Sequence, residues 1–144
     1  MGNFGGVGLY GTPADTTQDR IQEIQIFALD DLPFGKVDCI KMDVEGHEEL
    51  ALRGMANLIT ANMPVMYIEA DRQEKLPSLF RYIRSFGYEM NWHRPLLFDR
   101  NNHFDESENV FQNIASHNVL CYVPDKHPQV DKDFRVKFRL EPCL

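Results

Sequence analysis

The 144-residue sequence has no run approaching the ~18 uncharged apolar residues of a membrane-spanning helix, so a span is ruled out. An excess of positive charge is missing as well. Lys and Arg total 15 against 22 Asp and Glu, a formal net charge of −7. Binding nucleic acid through its phosphates needs a cationic footprint, so that partner class is disfavoured. Cysteine is scarce and odd in number: Cys39, Cys121 and Cys143, with no C-x-x-C pair. Neither a zinc cluster nor a thioredoxin-like site is written here. Cys39 and Cys121 lie in apolar runs and read as small buried core residues. The start, Met1 to Gly6, has no basic or apolar segment of a secretory signal. Gly6 stands where a myristoylation signal carries Ser or Thr. A cytoplasmic, reducing location is the expectation. There is no internal repeat and no low-complexity tract.

What is present suits one globular domain. Apolar residues make up 43% and charged residues 26%, and a chain of this length can bury a core without metals or disulfides. Residues 1–20 are rich in Gly, Thr and Asp and read as loop. Residues 21–29 alternate partly and suit a strand, ended by turn chemistry at Asp30, Asp31, Pro33 and Gly35. Residues 37–44 form a compact apolar run, the pattern of a strand buried on both faces. Gly46 breaks it. A helix is predicted over 47–61, with Leu50, Ala51, Gly54, Met55, Leu58 and Ile59 as its apolar stripe. Residues 64–69 are a second buried strand, and strand–helix–strand makes a parallel βαβ unit. A second helix is predicted over 74–86, with Leu76, Leu79, Phe80, Ile83 and Phe86 inward and Gly87 past its end. Short strands follow at 88–92 and 96–98. Residues 99–117 are a long polar loop, and 118–123 a strand closed by Pro124. In the tail, Phe134, Val136, Phe138 and Leu140 alternate with Arg135, Lys137, Arg139 and Glu141. That is a period-2 strand, either an edge strand with a cationic face or an anion-binding or partner-docking strip.

Ligands of open parallel sheets sit beyond the carboxyl ends of the strands. The first buried strand ends in Asp43-Val44-Glu45-Gly46-His47-Glu48 and the second in Glu69-Ala70-Asp71. Neighbouring strands would gather Asp43, Glu45 and Glu69 at one sheet edge, with Lys41 sharing the parity of Asp43 and Glu45. Such a cluster has perturbed pKa values. Structural roles compete with the functional ones. Glu48 and Glu49 suit first-turn complements of the helix dipole. Asp43 suits an acceptor for the next helix's N–H groups, and His47 a solvated N-terminal residue.

These residues carry a family resemblance. Ala28-Leu29-Asp30-Asp31-Leu32, then residues 37–48 with Lys41-Met42-Asp43-Val44-Glu45-Gly46-His47-Glu48, then Leu52-Arg53-Gly54-Met55, then Pro64-Val65-Met66-Tyr67-Ile68-Glu69 resemble the FkbM-type methyltransferases. The family pattern is L-D-D-L, K-x-D-V-E-G-x-E, L-x-G-A and P-x-x-x-x-E. Met55 replaces the usual small residue. The early residues 3–7 and late residues 118–124 also resemble family segments, so the likeness spans roughly 3–124.

The resemblance implies an α/β, Rossmann-like enzyme that uses S-adenosylmethionine to methylate an oxygen, often a hydroxyl of a sugar or natural product. The family's Asp-x-Gly-x-x-x-Gly cofactor turn and the acid-tipped strand after it are not found. The chain therefore resembles the C-terminal part of such an enzyme over 1–124, a partial Rossmann-like fold lacking its N-terminal cofactor-binding half, with 125–144 as a tail. Asp43, Glu45 and His47 become candidate catalytic residues, one of them the base for the hydroxyl proton. Glu69 and Lys41 become candidates for holding the acceptor, and the 99–117 loop a cover for it. The net charge suits a neutral hydroxyl acceptor better than a polyanion. Two other readings stay open: an inactive fragment or binding module, and a carboxylate site for Mg²⁺ or Mn²⁺ in hydrolysis. The sheet is expected to be small and mixed, with the parallel pair central and the strands at 88–92 and 118–123 on one side of it. The other side is expected to be either an exposed edge open to a missing half or a second copy, or patched by residues 21–29.

Overall fold

The computed structural model describes residues 24–130 and 141–143. Its elements are β1 (Cys39–Met42), α1 (Glu48–Arg53), α2 (Ala56–Asn62), β2 (Val65–Glu69), α3 (Leu76–Arg84), β3 (Glu89–His93), β4 (Asn118–Tyr122) and the two-residue β5 (Glu141–Pro142). The strands form one sheet in the order β1-β2-β4-β3-β5. β1 and β2 are parallel, and β4 is antiparallel to both β2 and β3. β1, β2 and β3 therefore run the same way, and β4 is the reversed strand between β2 and β3. The sheet is mixed, as expected.

The three helices pack on one face. Met42, Met66, Ile68, Met90, Val119 and Cys121 from the sheet meet Leu52, Met55, Ile59, Leu79, Phe80 and Ile83 from the helices in one buried cluster. All five residues of β4 are buried, because it is flanked by strands on both sides. Arg53 ties α1 to α3: its guanidinium lies 4.5 Å over the Tyr82 ring and bonds Glu49 one turn back at 2.6 Å. No described helix is long and apolar enough to cross a membrane.

Several expectations are corrected. β3 and β4 lie on one side of the parallel pair, as expected, so the pair ends the described sheet instead of sitting at its centre. β1 has no strand on its outer side among the described residues, and its Cys39 and Lys41 are exposed. Cys39 is thus no core residue, unlike Cys121. The apolar run around β1 looks like an interior strand, but which strands flank it is a non-local matter that the run cannot encode. Residues 24–28 are not strand; a 3-10 turn, Leu29–Asp31, follows them. The helix over 47–61 is two segments broken at Gly54 and Met55. Within α1 the buried face holds Leu52 and not Leu50, which is exposed. Residues 96–98 contribute one bridge, Leu96 to Ala115. The alternating tail strand over 134–140 and the segment 1–20 lie outside the described residues.

The break is held from a distance. Asp30 accepts the N–H groups of Asn57 and Leu58, both at 2.9 Å, and so caps α2. Its own N–H donates to Gly54 O at 3.0 Å. Met55, at the N-cap position, supplies no side-chain bond. The Leu-Asp-Asp-Leu motif is therefore structural: its first Asp starts a helix 27 residues later. Asp30→Ala is expected to cost about 1–2 kcal/mol, the value of an N-cap, with Asp30→Asn retaining most of it. Chemical denaturation of both variants measures this.

Candidate functional site

The carboxyl ends of β1, β2 and β3 lie along one sheet edge. There the register makes a polar row. Glu69 pairs with Asn118, and Asn118 with His93. Met42 pairs with Ile68, so Asp43, the next residue, falls beside Glu69. One row thus crosses four strands: Asp43, Glu69, Asn118, His93. The row behind it is Lys41, Tyr67, Leu120 and Asn91. Cross-strand partners share a face, and this face is opposite the helices, since Met42, Ile68 and Val119 belong to the core.

Of the five residues singled out from sequence, three come together. Asp43 and Glu69 hydrogen-bond side chain to side chain, and Lys41 Nζ lies 3.2 Å from Asp43 Oδ2. Burial, then the neighbouring Asp43 charge, push the Glu69 carboxyl up from 4.5 to about 7, with Asp71 and Glu45 adding to the effect. A carboxyl beside a like charge ionises less readily.

Glu45 and His47 are placed differently. Strand alternation stops at Met42, and Glu45 takes a left-handed φ of 51°. Its carboxylate accepts from Arg72 at 2.9 Å. His47 occupies the N-cap of α1 without a side-chain cap bond, and its Nδ1–H donates to Val44 O at 3.3 Å. That bond leaves the lone pair on Nε2. Asp43 does not serve the helix N-terminus. Glu48 does: it is buried, and its Oε1 accepts the Gly46 N–H at 2.9 Å. Glu48 stands in the first turn of α1 with Glu49, as expected, and its buried carboxylate also closes the turn before the helix.

Sequence reading missed half the row. The Tyr67 hydroxyl and His93 Nδ1 share a hydrogen bond of 2.7 Å, and burial raises the Tyr67 phenol above its ordinary value, keeping it protonated. Asn118 donates to Ser116 Oγ at 2.7 Å. Asn91 is buried and donates to Tyr122 Oη at 3.0 Å. Period-2 parity on 65–69 and 89–93 could have put Tyr67 with Glu69 and Asn91 with His93. It could not have shown that the two strands sit on either side of β4. Among the described residues no group of three His, Cys, Asp or Glu side chains is arranged to hold a metal ion.

The model of the methyltransferase FkbM domain matches residues 4–90. The chain belongs to this family. The match takes in β1, β2, α1, α2 and α3, and it ends at the start of β3. The rest of β3, β4 and the connection between them lie beyond it, so this FkbM-domain chain carries half of its polar row in a part the family model does not describe. No curated protein and no solved structure matches the chain.

A methyltransferase is the activity class that the FkbM domain carries. The Glu45–Gly46 turn comes just after Asp43, the first member of the row. Gly46 has φ +89°, and its carbonyl accepts Lys75 Nζ at 2.6 Å. Lys75 and Arg72, just after β2, thereby clamp the turn that follows β1.

Proposed function

We propose that the protein is an S-adenosylmethionine-dependent O-methyltransferase whose acceptor is a small molecule or glycan bearing a hydroxyl. The observation that carries this is the Asp43–Glu69 carboxyl pair at the carboxyl edge. An aliphatic hydroxyl is a weak acid, and a group titrating near 7 is well matched to take its proton at neutral pH. Lys41 pairs with Asp43 at 3.2 Å, and Glu69, raised to about 7, is the member of the pair that gains and loses its proton near neutral pH. Asn118 and His93, two strands along, orient the rest of the acceptor, and Tyr67 fixes the His93 ring. His47 Nε2 and Glu45 flank the turn beyond β1; Arg72 holds Glu45 in place.

The donor set fits the cofactor's reactive end. Carboxylates at this edge attract a sulfonium cation, and Asp43 and Glu69 would face it. The bound cofactor supplies an electrophilic methyl group. Aligning the acceptor oxygen for in-line displacement is then the work of the row. The reading as a partial Rossmann-like fold is supported by the parallel β1–β2 pair and the outer edge of β1. That edge is where the strands of a cofactor-binding half would add, and it equally offers a second copy a partner.

Calorimetry of the full chain with S-adenosylmethionine tests the proposal. Binding is expected, weakened at least about tenfold by Asp43→Asn through loss of a charge-assisted contact. A folded chain that binds neither the cofactor nor its demethylated product would instead be a non-catalytic module. For turnover, Glu45→Gln and His47→Ala should each slow transfer to a hydroxyl acceptor. Unchanged rates in both would remove these two residues from the site.

A further inference from the structure

Residues 94–117 leave β3 after His93 and re-enter β4 at Asn118, so both ends of this connection are members of the polar row. Its base is zipped into a ribbon. Leu97 N–H donates to Ile114 O at 2.9 Å, Ser116 N–H to Pro95 O at 2.9 Å, and Leu96 bridges Ala115. The ribbon is pinned to the row by Ala70 N–H donating to His117 O at 2.8 Å and by the Asn118–Ser116 bond.

The outer part is held by its own polar side chains. Asn102 Oδ1 accepts the N–H groups of Phe104 and Glu106, and its Nδ2 donates to the Asp99 and Glu106 carbonyls. Asn109 closes the next turn through Phe111 N–H and Gln112 O. Order obtained this way requires no apolar core, and the apolar side chains stay outside. Leu96, Leu97, Phe104, Val110, Phe111 and Ile114 are exposed, Phe104 by 87%. They are six of the twelve exposed large hydrophobics among the described residues. Single exposed apolar residues are ordinary; six on one ribbon rooted in a candidate site are a concentration of the kind that binding surfaces carry. Its charge narrows the occupant. Asp99, Asp105, Glu106 and Glu108 outnumber Arg94 and Arg100, so the ribbon repels anionic lipid headgroups and phosphorylated ligands.

We propose that the acceptor is a neutral amphiphile. Its hydroxyl-bearing head enters the row at the sheet edge, and its apolar body lies along the ribbon of residues 94–117. This rests on the hydroxyl-acceptor reading above and adds the acceptor's second half. Each methylene that the ribbon takes from water is expected to tighten binding, by at most about fourfold at full burial.

Alkyl β-glucosides test it, because methyl, butyl, hexyl and octyl members share one neutral head. The full chain is titrated with each, below micelle-forming concentrations, by calorimetry. Affinity should rise with chain length, octyl exceeding butyl by about tenfold or more. The double variant Phe104→Ser, Phe111→Ser should flatten that rise without lowering the melting temperature, since both side chains are exposed. Glu69→Gln should weaken every member by a similar factor. Octyl binding no tighter than methyl, with methyl still sensitive to Glu69→Gln, overturns the inference and leaves the hydroxyl reading standing. Length-dependent binding that ignores Glu69→Gln also overturns it, because the ribbon would then be a surface separate from the site. Octyl sulfate binding as tightly as octyl glucoside removes the neutrality. No binding of any glucoside overturns the inference together with the reading it rests on.

Discussion

Glu69→Gln is expected to raise stability at pH 8 while lowering methyl transfer by about 10²–10⁴-fold, the usual contribution of a general base. Both effects come from one carboxyl. It titrates near 4.5 when unfolded and at about 7 when folded, because burial and Asp43 oppose its ionisation. Between those values the folded state holds a proton that the unfolded state has released. Stability is therefore fully present below about pH 4.5 and is lost as pH rises through about 7. Gln copies the protonated form and escapes the loss. With the group partly exposed and screened, the gain at pH 8 is about 1–2 kcal/mol, or roughly 2–8 °C in melting temperature. At pH 4 the two proteins should melt together. Wild-type transfer should climb from pH 6 to 8 with its midpoint near 7, and the variant should lack that step. A variant that loses stability at pH 8 would show Glu69 to be a structural ion instead. Gaining stability by removing a functional group is the behaviour expected of a strained catalytic site.

Gly46→Ala should destabilise the protein by about 2–3 kcal/mol. The residue has φ +89°, where an L side chain is strained by about 1–2 kcal/mol. The added Cβ would lie 2.9 Å from Lys75 Nζ and 3.3 Å from Arg72 Cγ. Lys75 can swing away, but it then gives up its bond to the Gly46 carbonyl, worth about 1 kcal/mol. Displacing Arg72 also frees Glu45. The variant should therefore bind S-adenosylmethionine more weakly, even at temperatures where it is folded. Gly35→Ala is the control: nothing lies within 4 Å of its added Cβ and its φ is not positive, so its effect should stay within about 0.5 kcal/mol. Urea unfolding of both variants measures the difference. Equal effects would mean that the 43–48 turn is not held by the clamp.

The motif block 41–48 was legible because its chemistry is local. Gly46 allows a turn that other residues resist, and carboxylates at a strand end have little packing reason to be there. Strand and helix periods likewise located β2, α3, β3 and β4 to within a residue or two. The break at Gly54 was not legible, because the cap of α2 comes from Asp30, far back in the chain. Glu45 was misplaced for a related reason: alternation was extended past Met42, where the chain had already turned.

By itself the sequence determined the family, the α/β class, and a cluster of Lys41, Asp43 and Glu69 at adjoining strand ends. Periodicity, turn chemistry and motif order are properties of neighbouring residues, and they survive without knowledge of the fold. Tertiary structure alone decided the rest. It put β1 at the edge of the described sheet and the reversed β4 between β2 and β3, and so completed the row with Asn118 and His93. Strand order is set by which hydrophobic faces bury one another across long stretches of chain, and no local pattern records it. The excess of acidic residues that first argued against nucleic acid now has a place: part of it is the paired carboxyls Asp43 and Glu69, and part lines the ribbon beside them.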